Sequence, residues 1–338
     1  MQKIRVFING FGRIGRSALR VMLEDNAFEI VGINDIFPVS QFPYLMQYDS
    51  IYKELQHKIT LEDDLLYVGE HKIRLFCQAE PERLDLSSLQ VDVLLQCSGL
   101  FLTREANECY LQKGVGKVIL SAPPKDETPI YIMGFNHRQY KGEKIISNSS
   151  CSTNAIAPLM QVIDRRYGIS AACISMVHSY TGEQNLLDAK HPASELRRSR
   201  SATQNILPLE STATTTLCTL FPHLRDKIYT KSIRVPINAT TLYDFTLHVE
   251  NPLERKELND LLLEASQGIL LNIIGTDDTC KVSSDFVKNH HSATIDLPLT
   301  EVLDSRCIKI TAWQDNEYGY AFQLTEMAKI VCEKEIQG

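Results

Sequence analysis

The chain has 338 residues, 43% of them hydrophobic and 23% charged, with a formal net charge of −7. That length can bury a large core and suits two domains better than one. The acidic balance argues against a dedicated nucleic-acid binder, and no apolar run approaches the roughly 18 to 20 residues of a membrane span.

A short β-branched and apolar run over residues 4–9 predicts a strand that stops at glycines. Gly10-Phe11-Gly12-Arg13-Ile14-Gly15 follows, and residues 16–23 carry helical apolar spacing. Strand, GxGxxG and helix in that order form a dinucleotide-binding context. The first glycine allows a tight turn, the second lets the backbone approach a pyrophosphate, and the third lets helix and strand pack closely. Gly10, Gly12, Arg13, Ile14 and Gly15 are therefore candidate cofactor contacts. A second strand over 30–34 ends at Asp35, twenty residues beyond Gly15. A carboxylate there accepts hydrogen bonds from an adenosine ribose and repels a 2′-phosphate, so NAD is the expected cofactor.

Further strands are predicted over 91–97 and 117–121, with a helical segment over 104–113 between them. They end in Ser98-Gly99 and in Ser121. Ligands of open parallel sheets bind beyond the carboxyl ends of strands, which makes these tips candidate nicotinamide-side contacts; ordinary turns would look the same. Residues 1–150 thus read as an α/β domain of the Rossmann type.

Cys151 stands in Ser147-Asn148-Ser149-Ser150-Cys151-Ser152-Thr153-Asn154, just ahead of a helix pattern that runs to about Tyr167. A thiol at a helix start is expected to ionise more readily than a free one. The alternative is a small buried cysteine beside an ordinary cap. A strand over 172–177 ends at His178; one of nine histidines is usually structural or exposed, but a strand-end histidine can face such a cysteine and share a thiolate–imidazolium pair with it. Residues 179–205 are polar and irregular, a length that usually carries function, and include Arg197-Arg198-Ser199-Arg200. Arg234 sits in a strand-like segment, as a phosphate clamp or as half of an ion pair. Alternating patterns over 242–249 and 307–313 predict a mainly antiparallel sheet, so residues 151–314 read as an α+β catalytic domain. A last helix pattern covers 317–333, and the segment 315–338 is expected to return to the first domain.

The nine cysteines, at 77, 97, 109, 151, 173, 218, 280, 307 and 332, show no CxxC pair. Their odd number and wide spacing point to a reducing cytoplasm and to no metal site. The N-terminus runs straight into a strand pattern without the apolar stretch of a signal peptide, which agrees with a cytoplasmic setting.

Taken together, these blocks resemble the phosphorylating glyceraldehyde-3-phosphate dehydrogenase family over essentially the whole chain. The resemblance rests on residues 8–16, on the octet around Cys151, on Val177-His178-Ser179-Tyr180-Thr181, on Arg234-Val235-Pro236 and on residues 313–320. It implies that Cys151 is the nucleophile and His178 the base, that a thioester forms on Cys151, and that inorganic phosphate releases it as an acyl phosphate. It further implies that Asn316 and Tyr320 serve the nicotinamide, and that Thr181 and Arg234 hold the phosphate of a small phosphorylated aldehyde. Ser150, Ser152, Ser211 and Arg198 would lie near the attacking phosphate. A homotetramer, with residues 179–205 at subunit contacts, is implied as well.

Several positions depart from the family pattern. Ala155 stands where a second cysteine is usual, and Gln314 where an aromatic residue follows the tryptophan. The phosphate loop reads Leu209-Glu210-Ser211-Thr212-Ala213-Thr214, with an acid at 210 and Thr212 in place of a glycine. Lys190 lies where NAD-specific members often carry Leu-Pro nearby, which leaves some NADP use open. The acidic, glycine-free loop is similar to that of erythrose-4-phosphate dehydrogenase, a close relative that releases a free acid. A non-enzymatic NAD-binding protein is a third reading, opposed by the intact set Cys151, His178, Arg234 and Asn316.

Overall fold

The computed structural model describes residues 2–336, and side chains as far as Glu333; residues 337 and 338 of the expected C-terminal segment lie outside the described residues. The chain divides into two compact units. One runs to Ser150 and includes the segment from Ala321 onward, and the other spans Cys151 to Tyr320.

In the first unit β1 (Ile4–Asn9), α1 (Arg13–Leu23) and β2 (Phe28–Asp35) form the expected βαβ start, with β1 and β2 parallel. The short α2 (Phe42–Gln47) follows, and then β3 (Ile59–Glu62), β4 (Leu65–Val68) and β5 (His71–Cys77). β6 (Val93–Gln96), α3 (Glu105–Gln112), β7 (Lys117–Leu120) and β8 (Ile145–Ser147) complete an eight-stranded sheet in the order β3-β4-β5-β2-β1-β6-β7-β8. From β5 to β8 the strands are parallel, which is the doubly wound arrangement; β3 and β4 add antiparallel pairs at one edge. No strand is expected from the sequence pattern at that edge. Phe7, Leu94, Tyr110, Val118 and Leu120 are buried in one core cluster with Leu84 and Val115. Each such apolar side chain contributes roughly 1.5–3 kcal/mol on burial, and together they hold the strand tips in place.

The second unit starts with α4 (Cys151–Tyr167) and β9 (Ile169–Ser179). After the long irregular stretch come β10 (Leu207–Glu210), α5 (Ala213–Leu220), β11 (Ile228–Val235) and β12 (Thr241–Val249). α6 (Arg255–Gln267), β13 (Ile274–Asp277), β14 (Ala293–Leu303) and β15 (Cys307–Gln314) follow, and the sheet order is β10-β11-β9-β12-β15-β14-β13. Four of the six strand pairs are antiparallel, and β11–β9 and β13–β14 are parallel. Residues alternate along β12 between buried Tyr243, Phe245 and Leu247 and half-exposed Leu242, Asp244 and Thr246. One face of the sheet is therefore core, and the other carries half-exposed Val177, Ile233, Leu242 and Trp313.

The last helix, α7 (Tyr318–Ile336), begins three residues later than the segment expected from 315. Asp315 explains the difference. Its Oδ1 accepts from the backbone N–H groups of Glu317, at 3.0 Å, and Tyr318, at 2.9 Å, so it caps the helix rather than joining it. α4 begins at Cys151 itself, four residues ahead of the apolar run that predicts it.

Candidate active site

The glycine loop of the first unit is shaped for close approach. Gly10 has φ +100°, and a Cβ there would sit 2.4 Å from the backbone N of Ser98; a Cβ on Gly15 would sit 2.0 Å from the Gly10 carbonyl oxygen. At Gly12, by contrast, a Cβ would meet nothing within 4 Å. Gly12 caps α1 without any side-chain hydrogen bond, which leaves the first amides of the helix directed at open space suited to an anion. Ile14, half-buried, lies in that first turn. Arg13 turns instead to Asp49, with which it is ion-paired, and stacks over the ring of Tyr52 at 5.4 Å.

A cavity of about 290 Å³ opens beside this loop, lined by Gly10, Gly12, Asp35, Ile36, Ser98 and Leu100 among others. Asp35 is fixed at its edge: Oδ2 accepts from Phe11 N at 2.5 Å and Oδ1 from Ile36 N at 2.7 Å. Ser98 Oγ donates to Gln96 Oε1 at 2.8 Å and accepts from Leu100 N at 3.1 Å, while Gly99 takes φ +73° between them. Ser121 Oγ donates to the Gln96 carbonyl at 3.0 Å. Gln78 and Leu100 also line the cavity. Neither was legible as a contact, because Gln78 follows the unforeseen edge strand β5 and Leu100 is only an exposed leucine in a turn. Cys97, also in the lining, has its thiol pushed up to about 12 by burial and is chemically inert there.

In the second unit Cys151 is the first residue of α4 and is partly accessible. The turn that delivers it is strained: Ser149 is buried, is not glycine, and holds φ +56°. The expected easy ionisation of Cys151 is not what the site provides. The surrounding protein pushes the thiol up; Arg234, the Ser152 hydroxyl and the backbone amides pull it down but do not win. His178, buried near the end of β9, is likewise driven the opposite way from an imidazolium. Burial, and then the neighbouring Arg234 cation, lower it to about 3. The resting site thus holds a thiol and a neutral imidazole in place of the expected ion pair, because desolvation outweighs the helix start.

Arg234 pairs with His178 across β11 and β9. Its Nη1 donates to the Ser179 carbonyl at 3.0 Å and reaches His178 Nδ1 at 2.5 Å. Its buried Nε has no partner among the described residues. Thr181 holds Gln184 through its N–H, at 2.9 Å, and its hydroxyl, at 3.1 Å. Arg198 is ion-paired with Glu183, and both act electrostatically on Arg234. Asn316 is buried, with Oδ1 accepting from Ser179 Oγ at 3.1 Å, and Tyr320 is buried too. Ser152 Oγ lies 4.0 Å from the Cys151 sulfur.

Ser211 and Thr212 stand apart from this group. Leu207 pairs with Arg234, but Glu210 pairs with Lys231, so the residues after Glu210 lie about four strand positions, roughly 13 Å, along β11 from Arg234. Ser211 Oγ accepts from Ala213 N at 3.2 Å at the start of α5, and Glu210 is exposed beside it. Ser150 is half-buried in the first unit. Tyr243 and Glu183 went unnoticed in the sequence. Tyr243 showed only as one more apolar member of an alternating strand, and Glu183 as one acid of a polar loop.

Comparison with known proteins agrees with the two units. The family described as "Glyceraldehyde 3-phosphate dehydrogenase, NAD binding domain" matches residues 4–104, and the one described as its C-terminal domain matches residues 150–316. Among similar curated proteins is the glyceraldehyde-3-phosphate dehydrogenase of Haloarcula vallismortis, 36% identical over 336 residues, which are 98% of this chain and 99% of that one. The enzyme of the same name from Bacteroides fragilis is 35% identical, covering 98% of this chain and all of its own. That of Helicobacter pylori is 37% identical, covering 97% and 99%.

Proposed function

The chain belongs to the glyceraldehyde 3-phosphate dehydrogenase family, and from that premise we propose that it oxidises D-glyceraldehyde 3-phosphate with NAD and inorganic phosphate to 1,3-bisphosphoglycerate. The observation that carries this reading is Arg234, a half-buried guanidinium whose Nε is buried and unpartnered among the described residues, held against His178 and acting on the Cys151 thiol. A cation left open in this way supports an anionic substrate whose reacting carbon would lie at the sulfur.

The glycine loop fits a dinucleotide: Gly12 leaves its space clear, the first amides of α1 are uncapped, and Asp35 is braced for a ribose. NAD supplies the hydride acceptor. Gly10, Gly12, Ile14 and Gly15 would hold the pyrophosphate, with Ser98, Gly99 and Ser121 at the strand tips and Asn316 and Tyr320 serving the nicotinamide. Cys151 adds to the aldehyde carbon once its proton has passed to His178, whose Nε2 is free to take it when Nδ1 carries the ring proton and donates to the Ser179 carbonyl. Loss of hydride leaves a thioester on Cys151, which preserves the oxidation energy in a bond that phosphate cleaves. Thr181 and Arg234 would clamp the substrate phosphate; Ser150, Ser152, Arg198, Ser211 and Thr212 would serve the incoming one. The wide offset between Arg234 and Ser211 supports two separate anion positions.

Domain roles follow: an NAD-binding domain over 1–150 joined by the C-terminal helix, and a catalytic domain over 151–314. The half-exposed sheet face with Val177, Ile233, Leu242 and Trp313, and exposed Leu186, Leu187 and Leu196, support a homotetramer. The odd number and wide spacing of the nine cysteines support a reducing cytoplasm. No helix among the described residues is long and apolar enough to cross a membrane.

Exposed Glu210 favours a second reading, in which water completes the cycle and erythrose 4-phosphate is the substrate. Steady-state rates with both aldehydes, with and without phosphate, decide. The first reading expects phosphate-dependent turnover of the three-carbon aldehyde; phosphate-independent preference for the four-carbon one would replace it.

A further inference from the structure

Tyr243 and Gln314 are buried polar side chains that the reaction as described leaves without a task. The Tyr243 hydroxyl donates to Gln314 Oε1 at 2.7 Å, and Gln314 Nε2 donates to the carbonyl oxygen of Cys151 at 3.2 Å. The direction of this pair is fixed by chemistry. Turning the amide over would set Oε1 against the Cys151 carbonyl, two buried acceptors facing each other. The Cys151 carbonyl thus selects which end of the amide faces it, and the amide in turn fixes where the tyrosine proton points. The Ser152 hydroxyl acts on Tyr243 as well, pulling its proton affinity down, and its Oγ lies 4.0 Å from the Cys151 sulfur. The contacts form a loop, from the sulfur through Ser152, Tyr243 and Gln314 to the carbonyl of Cys151 itself.

We propose that Tyr243 and Gln314 are positioning residues that fix the first turn of α4 and draw the Ser152 proton away from the resting sulfur. Gln314 stands where the family resemblance leads one to expect an aromatic residue, and here its amide is long enough to bridge β12 and the helix start. The two residues act as a unit: without the tyrosine hydroxyl the amide keeps only one of its two anchors, and without the amide the hydroxyl no longer reaches the helix start. The inference rests on the reading of Cys151 as the nucleophile.

The test is Tyr243→Phe, Gln314→Met and the double variant, assayed on the intact enzyme. Each single change is expected to lower kcat about fivefold while leaving KM for the aldehyde unchanged. The double variant should lose no more than the weaker single variant, because the pair works as one. Alkylation of Cys151 by iodoacetamide, followed on its peptide by mass spectrometry, should shift its midpoint to lower pH in Tyr243→Phe, since Ser152 is left with the sulfur as acceptor. Wild-type kcat and an unmoved midpoint in Tyr243→Phe overturn the proposal, as does a double variant whose loss is the product of the two singles. If Tyr243→Phe folds poorly, Gln314→Met carries the kcat readout alone, and wild-type kcat there overturns the brace. Alkylation needs neither aldehyde nor phosphate, so a failed brace is distinct from a failed thioester reading, which would show as turnover surviving Cys151→Ser.

Discussion

One guanidinium nitrogen of Arg234 serves both the Ser179 carbonyl, at 3.0 Å, and Nδ1 of His178, at 2.5 Å. An arginine N–H cannot accept, so while Arg234 donates to Nδ1 the ring proton belongs on Nε2. In that tautomer His178 is a donor. When an anion draws Arg234 away, Nδ1–H can donate to the Ser179 carbonyl 2.7 Å off, and Nε2 becomes the base. On the proposed roles of Arg234 and His178, binding of the substrate phosphate and activation of the base would be one event.

Unphosphorylated D-glyceraldehyde should therefore lose kcat as well as affinity. Arg234→Leu should lower kcat/KM for the phosphorylated aldehyde about a hundredfold and erase most of the preference over the unphosphorylated one. Steady-state kinetics with both aldehydes read the ratio; an unchanged preference would remove Arg234 from the phosphate site.

Acid should destabilise the fold earlier than carboxylate titration alone predicts. His178 falls from an ordinary 6.5 to about 3, by burial and by Arg234, and His291 to about 4, by burial and by His290. A histidine lowered in the folded state gives stability that is complete above its unfolded value and is lost as pH falls toward the folded one. The loss should run from about pH 6.5 toward 4, at most about 1.4 kcal/mol per pH unit for each histidine. Urea midpoints across that range should show the slope, and His291→Gln, remote from the nucleophile, should make it shallower.

Glu183 neutralises Arg198 in the resting protein. Glu183→Gln should free the guanidinium and lower KM for inorganic phosphate several-fold, a modest effect because Glu183 is half-exposed and solvent screens the pair. A KM that rises would mean that Glu183 holds Arg198 in its working position.

Asp35→Ala removes acceptors from Phe11 N and Ile36 N as well as from a ribose. The kcat/KM for NAD should fall about tenfold or more, while that for NADP falls less. Initial rates with both cofactors check the ratio, and equal losses would mean that Asp35 only braces the loop.

Local pattern carried much of this site. The glycine loop, Asp35 at the end of β2, and Cys151 at a helix start are all set by spacing within about twenty-five residues, where periodicity and turn chemistry are legible. What lay hidden depends on register between distant strands. Gln314 meets the Cys151 carbonyl across 163 positions and Tyr243 across 71, and nothing local marks either. The ionisation of Cys151 and His178 is hidden for the same reason. A helix start is visible in sequence, but the burial that overrules it is made by residues from other strands. The antiparallel edge β3–β5 was missed because its short strands alternate weakly and pair only with one another and with β2.

The protonated state of Cys151 has a consequence for the life of the protein in the cell. Peroxide and other soft electrophiles attack thiolates and largely ignore thiols. On the proposed role of Cys151, a nucleophile whose thiol is held up by burial until its proton is taken is chemically quiet between turnovers. Oxidative inactivation should then follow the enzyme's workload more closely than its age: a starved protein is spared, and a busy one is at risk.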